Sequence, residues 1–194
     1  MKKRHFILSL IIIIIAIILN LLRAPDFYSR VIGVIITLAA FTLADKSFKI
    51  GFKKQHYFII ILMSILGMLL SPIYLIFQPY DKILHFVNPF LTCFILFFFI
   101  NKLKVSFGTK LLLTFTLLVT LITLAEVAEF VLDQFFDLKL QGVFTGKHQG
   151  LFGITTQNVT VSVNPNTDTM LDIILGMLGA GLFIIIKFLR KNKK

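Results

Sequence analysis

The chain alternates long apolar runs with short polar connections. Six stretches, residues 6–22, 28–44, 57–77, 82–100, 111–133 and 169–189, come close to the about 20 helical residues that cross a hydrocarbon core of about 30 Å. The third contains Ser71-Pro72, which should kink it or end it early, and the second carries Arg30. The pattern predicts an all-α, polytopic membrane helix bundle of six transmembrane helices. Residues 1–194 are read as a single integral membrane domain, with one long connection over 134–168.

The first run follows Met1-Lys-Lys-Arg-His5, the basic start of a secretory signal. Asn20-Leu-Leu-Arg-Ala-Pro25 behind it offers no A-x-A cleavage site, so the run reads as an uncleaved first helix. The four tyrosines, Tyr28, Tyr57, Tyr74 and Tyr80, fall near predicted span ends, where an amphipathic ring suits the headgroup region.

Composition agrees with the pattern. The 194 residues are 57% hydrophobic and 15% charged, where a soluble domain carries about a quarter charged residues. A single cysteine, Cys93, excludes an internal disulfide, a cysteine-based zinc site and a CxxC redox motif.

The net charge of +11 would suggest an acidic partner in a polar chain. Here it separates by side. Fifteen bases lie in the two termini and the second and fourth connections, and five, Arg23, Arg30, Lys82, Lys139 and Lys147, lie in the others. Cations are retained in the cytoplasm, so both termini are predicted to be cytoplasmic and the protein multi-pass in the cell membrane. The basic clusters then anchor helix ends and attract anionic lipids at the cytoplasmic face, by about 1 kcal/mol per cation. No continuous basic face with base-reading elements is present, so nucleic acid is not an expected partner. The sequence does not indicate an oligomeric state.

The long connection carries Gly142, Gly146, Gly150 and Gly153, then Val159-Thr-Val-Ser-Val163, whose alternation fits a short strand. A connection of that length in a compact domain is commonly a lid, a binding loop or disorder, and Phe144, Leu151 and Phe152 argue against plain disorder.

The acids show the reverse distribution. Asp45 alone lies on the cytoplasmic side, while Asp26, Asp81, Glu126, Glu129, Asp133, Asp137, Asp168 and Asp172 belong to the outer half. Glu126, Glu129 and Asp133 stand three and four apart on one helix face, and Asp81/His85 and Asp168/Asp172 are each four apart at the starts of two other spans. At about 1.5 Å per residue, Glu126 lies about 10 Å below the outer boundary, and Glu129, His85 and Asp172 about 6 Å below it. These four are the expected catalytic set, with Asp81, Asp133, Asp168 and Gln141 as binding residues. Buried carboxylates need partners, water, a cation or a proton, and a divalent metal could be held by His85 and the acids, although no H-E-x-x-H spacing is present.

Each feature also has a structural explanation. Asp81, Asp133 and Asp168 at span ends suit interfacial or capping roles, and His85 suits an ordinary hydrogen bond. Cys93, the methionines and the Phe94–Phe99 stretch suit packing. Asn88-Pro89 is tolerable in a span that faces the bundle interior, and Gly176-x-x-x-Ala180 with Gly179 permits close helix packing.

The ordered set Asp81-Lys-Ile-Leu-His85, Glu126-Val-Ala-Glu129-Phe, Gln141, Asn166-Thr-Asp168-Thr-Met-Leu-Asp172 and Gly176 with Gly179-Ala180 resembles the YjdF-like family of small bacterial membrane proteins, over roughly residues 78 to 182. It is more distantly similar to VanZ-like proteins, which pair a D-K-x-x-H start with later acids and a D-x-x-x-N-x-x-G helix; Gly176 stands where that pattern has Asn. The resemblance implies a multi-pass membrane protein of uncharacterised molecular function, and the VanZ likeness hints at the cell envelope. Neither supplies a catalytic residue to carry over.

Three function classes remain. A membrane-embedded enzyme acting on a lipid or envelope precursor would use Glu126 or Glu129 as acid or base beside His85 and Asp172. A small transporter or proton-coupled carrier would need a polar path through the inner halves, where Thr114, Thr116, Thr120 and Thr123 are the polar groups available. A non-catalytic envelope scaffold would use the polar residues as interhelical glue.

Overall fold

The computed structural model describes residues 27–75, 77–136, 140–141, 143–147 and 157–192. The expected first span, 6–22, lies outside them. Four described helices are long and apolar enough to cross a membrane: α1 (Phe27–Ser47), α3 (Pro79–Ile100), α4 (Phe107–Phe136) and α5 (Pro165–Lys191). The chain is a helical membrane bundle, with a two-stranded antiparallel sheet also present among these residues.

The third expected span is broken. An α-helix, α2 (Lys54–Ser64), passes into a π-helical turn over Ile65–Leu69 and then a 3-10 turn over Ser71–Leu75. Proline at 72 lacks the N–H that would continue the ladder, so the helix ends where Ser71-Pro72 is reached. The freed carbonyls are partly satisfied by side chains: the Tyr80 hydroxyl donates to Leu66 O at 2.8 Å and the Ser71 hydroxyl to Met68 O at 2.8 Å. Gly67, Ser71 and Tyr74 of this segment line a cavity.

The connection from α1 to α2 is organised by Asp45. Its Oδ1 accepts from the N–H groups of Gly51 (2.9 Å) and Phe52 (3.1 Å), and its Oδ2 from the Tyr57 hydroxyl (2.6 Å). Gly51 has φ +78°, a conformation open to glycine without strain.

The core lies between α3, α4 and α5. Cys93, Leu118, Ala180 and Phe183 form a buried cluster, with Phe90, Phe94, Phe97 and Ile122 packed against it. Phe183 meets Phe94 edge-on at 4.8 Å between ring centroids and Phe97 at 5.8 Å, so these two members of the Phe-rich stretch are packing residues. The buried face of α5 runs Asp168, Asp172, Gly176, Gly179, Ala180, Phe183, a helical repeat that is polar at one end and apolar at the other. A Cβ at Gly179 would be driven into the Phe86 carbonyl oxygen, so glycine here lets α5 rest on the backbone of α3 beside Pro89.

The long connection is shorter than expected, because α4 continues to Phe136 and α5 begins at Pro165. Asn164 caps α5 by accepting from Thr167 N–H at 2.9 Å, and Pro165 fits the first turn. The anticipated strand falls within β2 (Gln157–Val163), which pairs antiparallel with β1 (Val143–Lys147) in the register Val143↔Val163 to Lys147↔Gln157.

Candidate functional site

At the end of the bundle where α3 and α5 begin and α4 ends, a pocket of ≈ 290 Å³ opens between the helices. Asp81 and His85 of α3, Glu129 of α4, and Asp168 and Asp172 of α5 line it, with Gly67, Ser71 and Tyr74 of the broken segment and Leu140. The spacing explains the convergence. Asp81/His85 and Asp168/Asp172 each occupy successive turns of one helix face, and α3 and α5 are held close by Gly179.

Lys82 is the centre of the cluster. Its ammonium is 2.5 Å from Asp168 Oδ1, 2.7 Å from Asp172 Oδ1 and 3.0 Å from Asp81 Oδ2, so three carboxylates surround three N–H donors. Asp168 and Asp172 are 5% and 3% exposed. Burial at that level requires a charge partner, which Lys82 supplies. Sequence reasoning counted Lys82 only among the cations of the outer side. The available signal was its place between Asp81 and His85 at the start of a span, where a long flexible stem reaches the next helix.

His85 lies between two carboxylates. Its Nε2 is 3.6 Å from Asp81 Oδ1, and its Nδ1 is 3.6 Å from Asp172 Oδ1. Glu129 faces the same pocket from α4. Thus His85, Glu129 and Asp172 of the expected catalytic set share one cavity with two expected binding residues, Asp81 and Asp168. Asp168, at a span end, is buried and paired and is not a solvated cap.

Glu126 belongs to a neighbouring network. It is 5% exposed, does not line the pocket, and lies beside Thr169 of α5. Thr169 Oγ1 accepts from Gln141 Nε2 at 2.9 Å, which leaves its own proton for the Glu126 carboxylate. The Asp133 carboxylate accepts from the backbone N–H groups of Leu140 (2.7 Å) and Gln141 (2.8 Å). Asp133 therefore anchors the segment after α4 and seats Gln141, and Gln141 tethers that segment to α5. Asn88, one turn inward from His85, keeps a buried Oδ1 without a hydrogen-bond partner among the described residues.

Chemically, the pocket offers fixed negative charge, an imidazole and the further carboxylate of Glu129, with the Lys82 ammonium held against three of its acids. With Asp81, Asp168 and Asp172 ionised, Lys82 alone leaves two negative charges, an environment for a cation or a cationic headgroup.

The family described as "Predicted membrane protein (DUF2238)" matches residues 4–193. The chain belongs to this family. The DUF2238 match extends the likeness beyond residues 78 to 182, so the helices before the site are part of the family's shared frame. No curated protein and no solved structure matches this DUF2238 chain.

Proposed function

We propose that the protein works at the outer face of the cell membrane and that its pocket takes the headgroup of a lipid or envelope precursor. Glu129 and His85 serve as the proton-exchanging groups, with Glu126 supporting them from the adjacent network. The observation that carries this reading is that polar groups of three helices line one cavity beside a deliberately broken fourth segment. Irregular backbone and paired charges at membrane depth are costly features that structural glue does not need. The VanZ-like resemblance agrees with a role in the envelope.

The same proposal includes six transmembrane helices with both termini in the cytoplasm. At the opposite end of the bundle, Lys102 lies 4.3 Å from the Phe98 ring, Lys187 4.7 Å from Phe97 and Lys191 4.5 Å from Phe107. Such cation-over-ring pairs suit the cytoplasmic interface, where anionic lipids are the expected neighbours.

A carrier is the weaker reading. The hydroxyls of Thr114, Thr116, Thr120 and Thr123 each donate to a carbonyl of their own helix, at 2.8, 3.1, 2.9 and 3.0 Å. They are spent on the backbone, and the Cys93–Leu118–Ala180–Phe183 cluster is apolar.

The test is complementation. In a strain lacking the gene, Glu129→Gln and His85→Ala should fail to restore envelope-antibiotic tolerance and the parental lipid profile, at membrane levels equal to the parent. Full restoration by both variants would overturn the proposal.

A further inference from the structure

One triad within the pocket has the spacing of metal ligands. Asp81, His85 and Asp172 each offer a ligand atom, and these atoms all lie within 4.8 Å of one another. The two His85–carboxylate separations, both 3.6 Å, are too long for hydrogen bonds. An ion takes one nitrogen of the imidazole, so one of these separations is a ligand–ligand distance, and it matches the roughly 3.3–3.6 Å between two ligands at about 2.0–2.2 Å from a tetrahedral ion. Imidazole with carboxylates suits a first-row divalent ion such as Zn²⁺ or Mn²⁺ better than the oxygen-only spheres of Ca²⁺ or Mg²⁺.

Lys82 gives an independent charge argument. Of its three partners, Asp168 lies nearest and stands outside the triad. An ammonium retained by Asp168 alone makes a neutral pair. Asp81 and Asp172 then present two negative charges to a neutral imidazole, the charge of one divalent ion. The cavity of ≈ 290 Å³ beside the triad, with Glu129 in its wall, leaves room for the ion's remaining ligand, water or substrate oxygen.

We propose that Asp81, His85 and Asp172 bind one divalent first-row transition ion, and that Lys82 is a tethered cation that holds these carboxylates until the ion displaces it onto Asp168. This deepens the headgroup reading above and rests on it for the ion's use, while ion binding itself is measurable without any phenotype. The protein supplies the exchange: the lysine stabilises the ion-free cluster and is a competitor for the ion.

The experiment uses the full chain in lipid nanodiscs, stripped with chelator and titrated with Zn²⁺ or Mn²⁺ against a competing indicator, with Co²⁺ as a spectroscopic probe. One ion per chain is expected, with visible Co²⁺ ligand-field bands. His85→Ala, Asp81→Asn and Asp172→Asn should each weaken binding by about ten-fold or more. Lys82→Met should bind more tightly than the parent, an effect that a merely structural lysine would not give. Asp45→Asn, at the far end of the bundle, should bind as the parent does. Because a pocket variant can misfold, each is compared by size-exclusion profile, and the parent's Co²⁺ spectrum and the Lys82→Met gain stand without the others. No stoichiometric ion in the parent, or binding indifferent to His85→Ala and Asp172→Asn, overturns the metal site. If complementation still fails in Glu129→Gln under that result, the headgroup reading survives alone. If the ion binds as stated while Glu129→Gln and His85→Ala restore the strain fully, the metal site stands and the headgroup reading falls.

Discussion

Replacing Lys82 by methionine keeps much of the stem's volume and removes the ammonium. In the parent, that ammonium is 2.5 Å from Asp168 and 2.7 Å from Asp172, both nearly devoid of solvent, and it is itself 22% exposed. Removing one partner of a buried ion pair costs about 3–5 kcal/mol, because the charge left behind is neither solvated nor paired. Three carboxylates lose their cation here, but Asp81 is partly exposed and can turn to water and Asp168 keeps a further contact, so the loss belongs within that range and not at a multiple of it. The compensated variant Lys82→Met/Asp168→Asn/Asp172→Asn removes charge and counter-charge together. It should recover most of the stability, as replacing buried pairs by neutral groups of similar volume does. The assay is reversible unfolding in mixed micelles with chelator present, comparing parent, single and triple variants. A single variant within about 1 kcal/mol of the parent, or a triple variant no better than the single, would refute the argument that Lys82 is what makes the buried acids affordable.

Gly179→Ala pushes a methyl into the Phe86 carbonyl and should destabilise by about 1–3 kcal/mol, whereas Gly181→Ala, with nothing within 4 Å of the added carbon, should be neutral or gain up to about 1 kcal/mol; thermal unfolding of the pair in one detergent separates them. Asp45→Ala should strip protection from the amides of Gly51 and Phe52 in hydrogen exchange, while Tyr57→Phe, which leaves both backbone N–H groups donating to Asp45, should spare most of it. Thr169→Val removes the hydroxyl between Gln141 and Glu126; exchange at Leu140 and Gln141 should remain slow, since Asp133 holds those amides, while limited proteolysis after α4 should speed up as the Gln141 tether is lost.

Much of this bundle is legible in the sequence because lipid imposes length and composition on a span. The break at Ser71-Pro72, the short strand before α5 and the small-residue face of Gly176, Gly179 and Ala180 are local consequences of proline, alternation and side-chain size. Helical spacing likewise put Asp81 with His85 and Asp168 with Asp172. What spacing does not report is the rotation of one helix against its neighbour. Glu126 and Glu129 share a face by sequence, yet Glu129 opens into the pocket and Glu126 turns to Thr169. Lys82 was hidden for a related reason: cations at span ends are common anchors, and only the approach of α5 shows which carboxylates its stem reaches.

Pro89 leaves the carbonyl of His85 without its usual i+4 donor, so α3 has its softest point directly beneath the site. The ten residues from Pro79 to Asn88 form an arm of about 15 Å that carries Asp81, Lys82 and His85. A bend of about ten degrees at its base would sweep Asp81 sideways by about 2 Å, enough to convert a contact at 2.7 Å into none. Gly179 bears on the turn from Phe86 to Phe90 that spans the proline, and thereby splints the pivot from outside. The position of a glycine two turns from the nearest acid of its helix thus sets the calibration of the charged cluster. Bilayer thickness or a bound amphiphile that alters the tilt of α5 would be transmitted as a change in spacing between lysine, histidine and carboxylates.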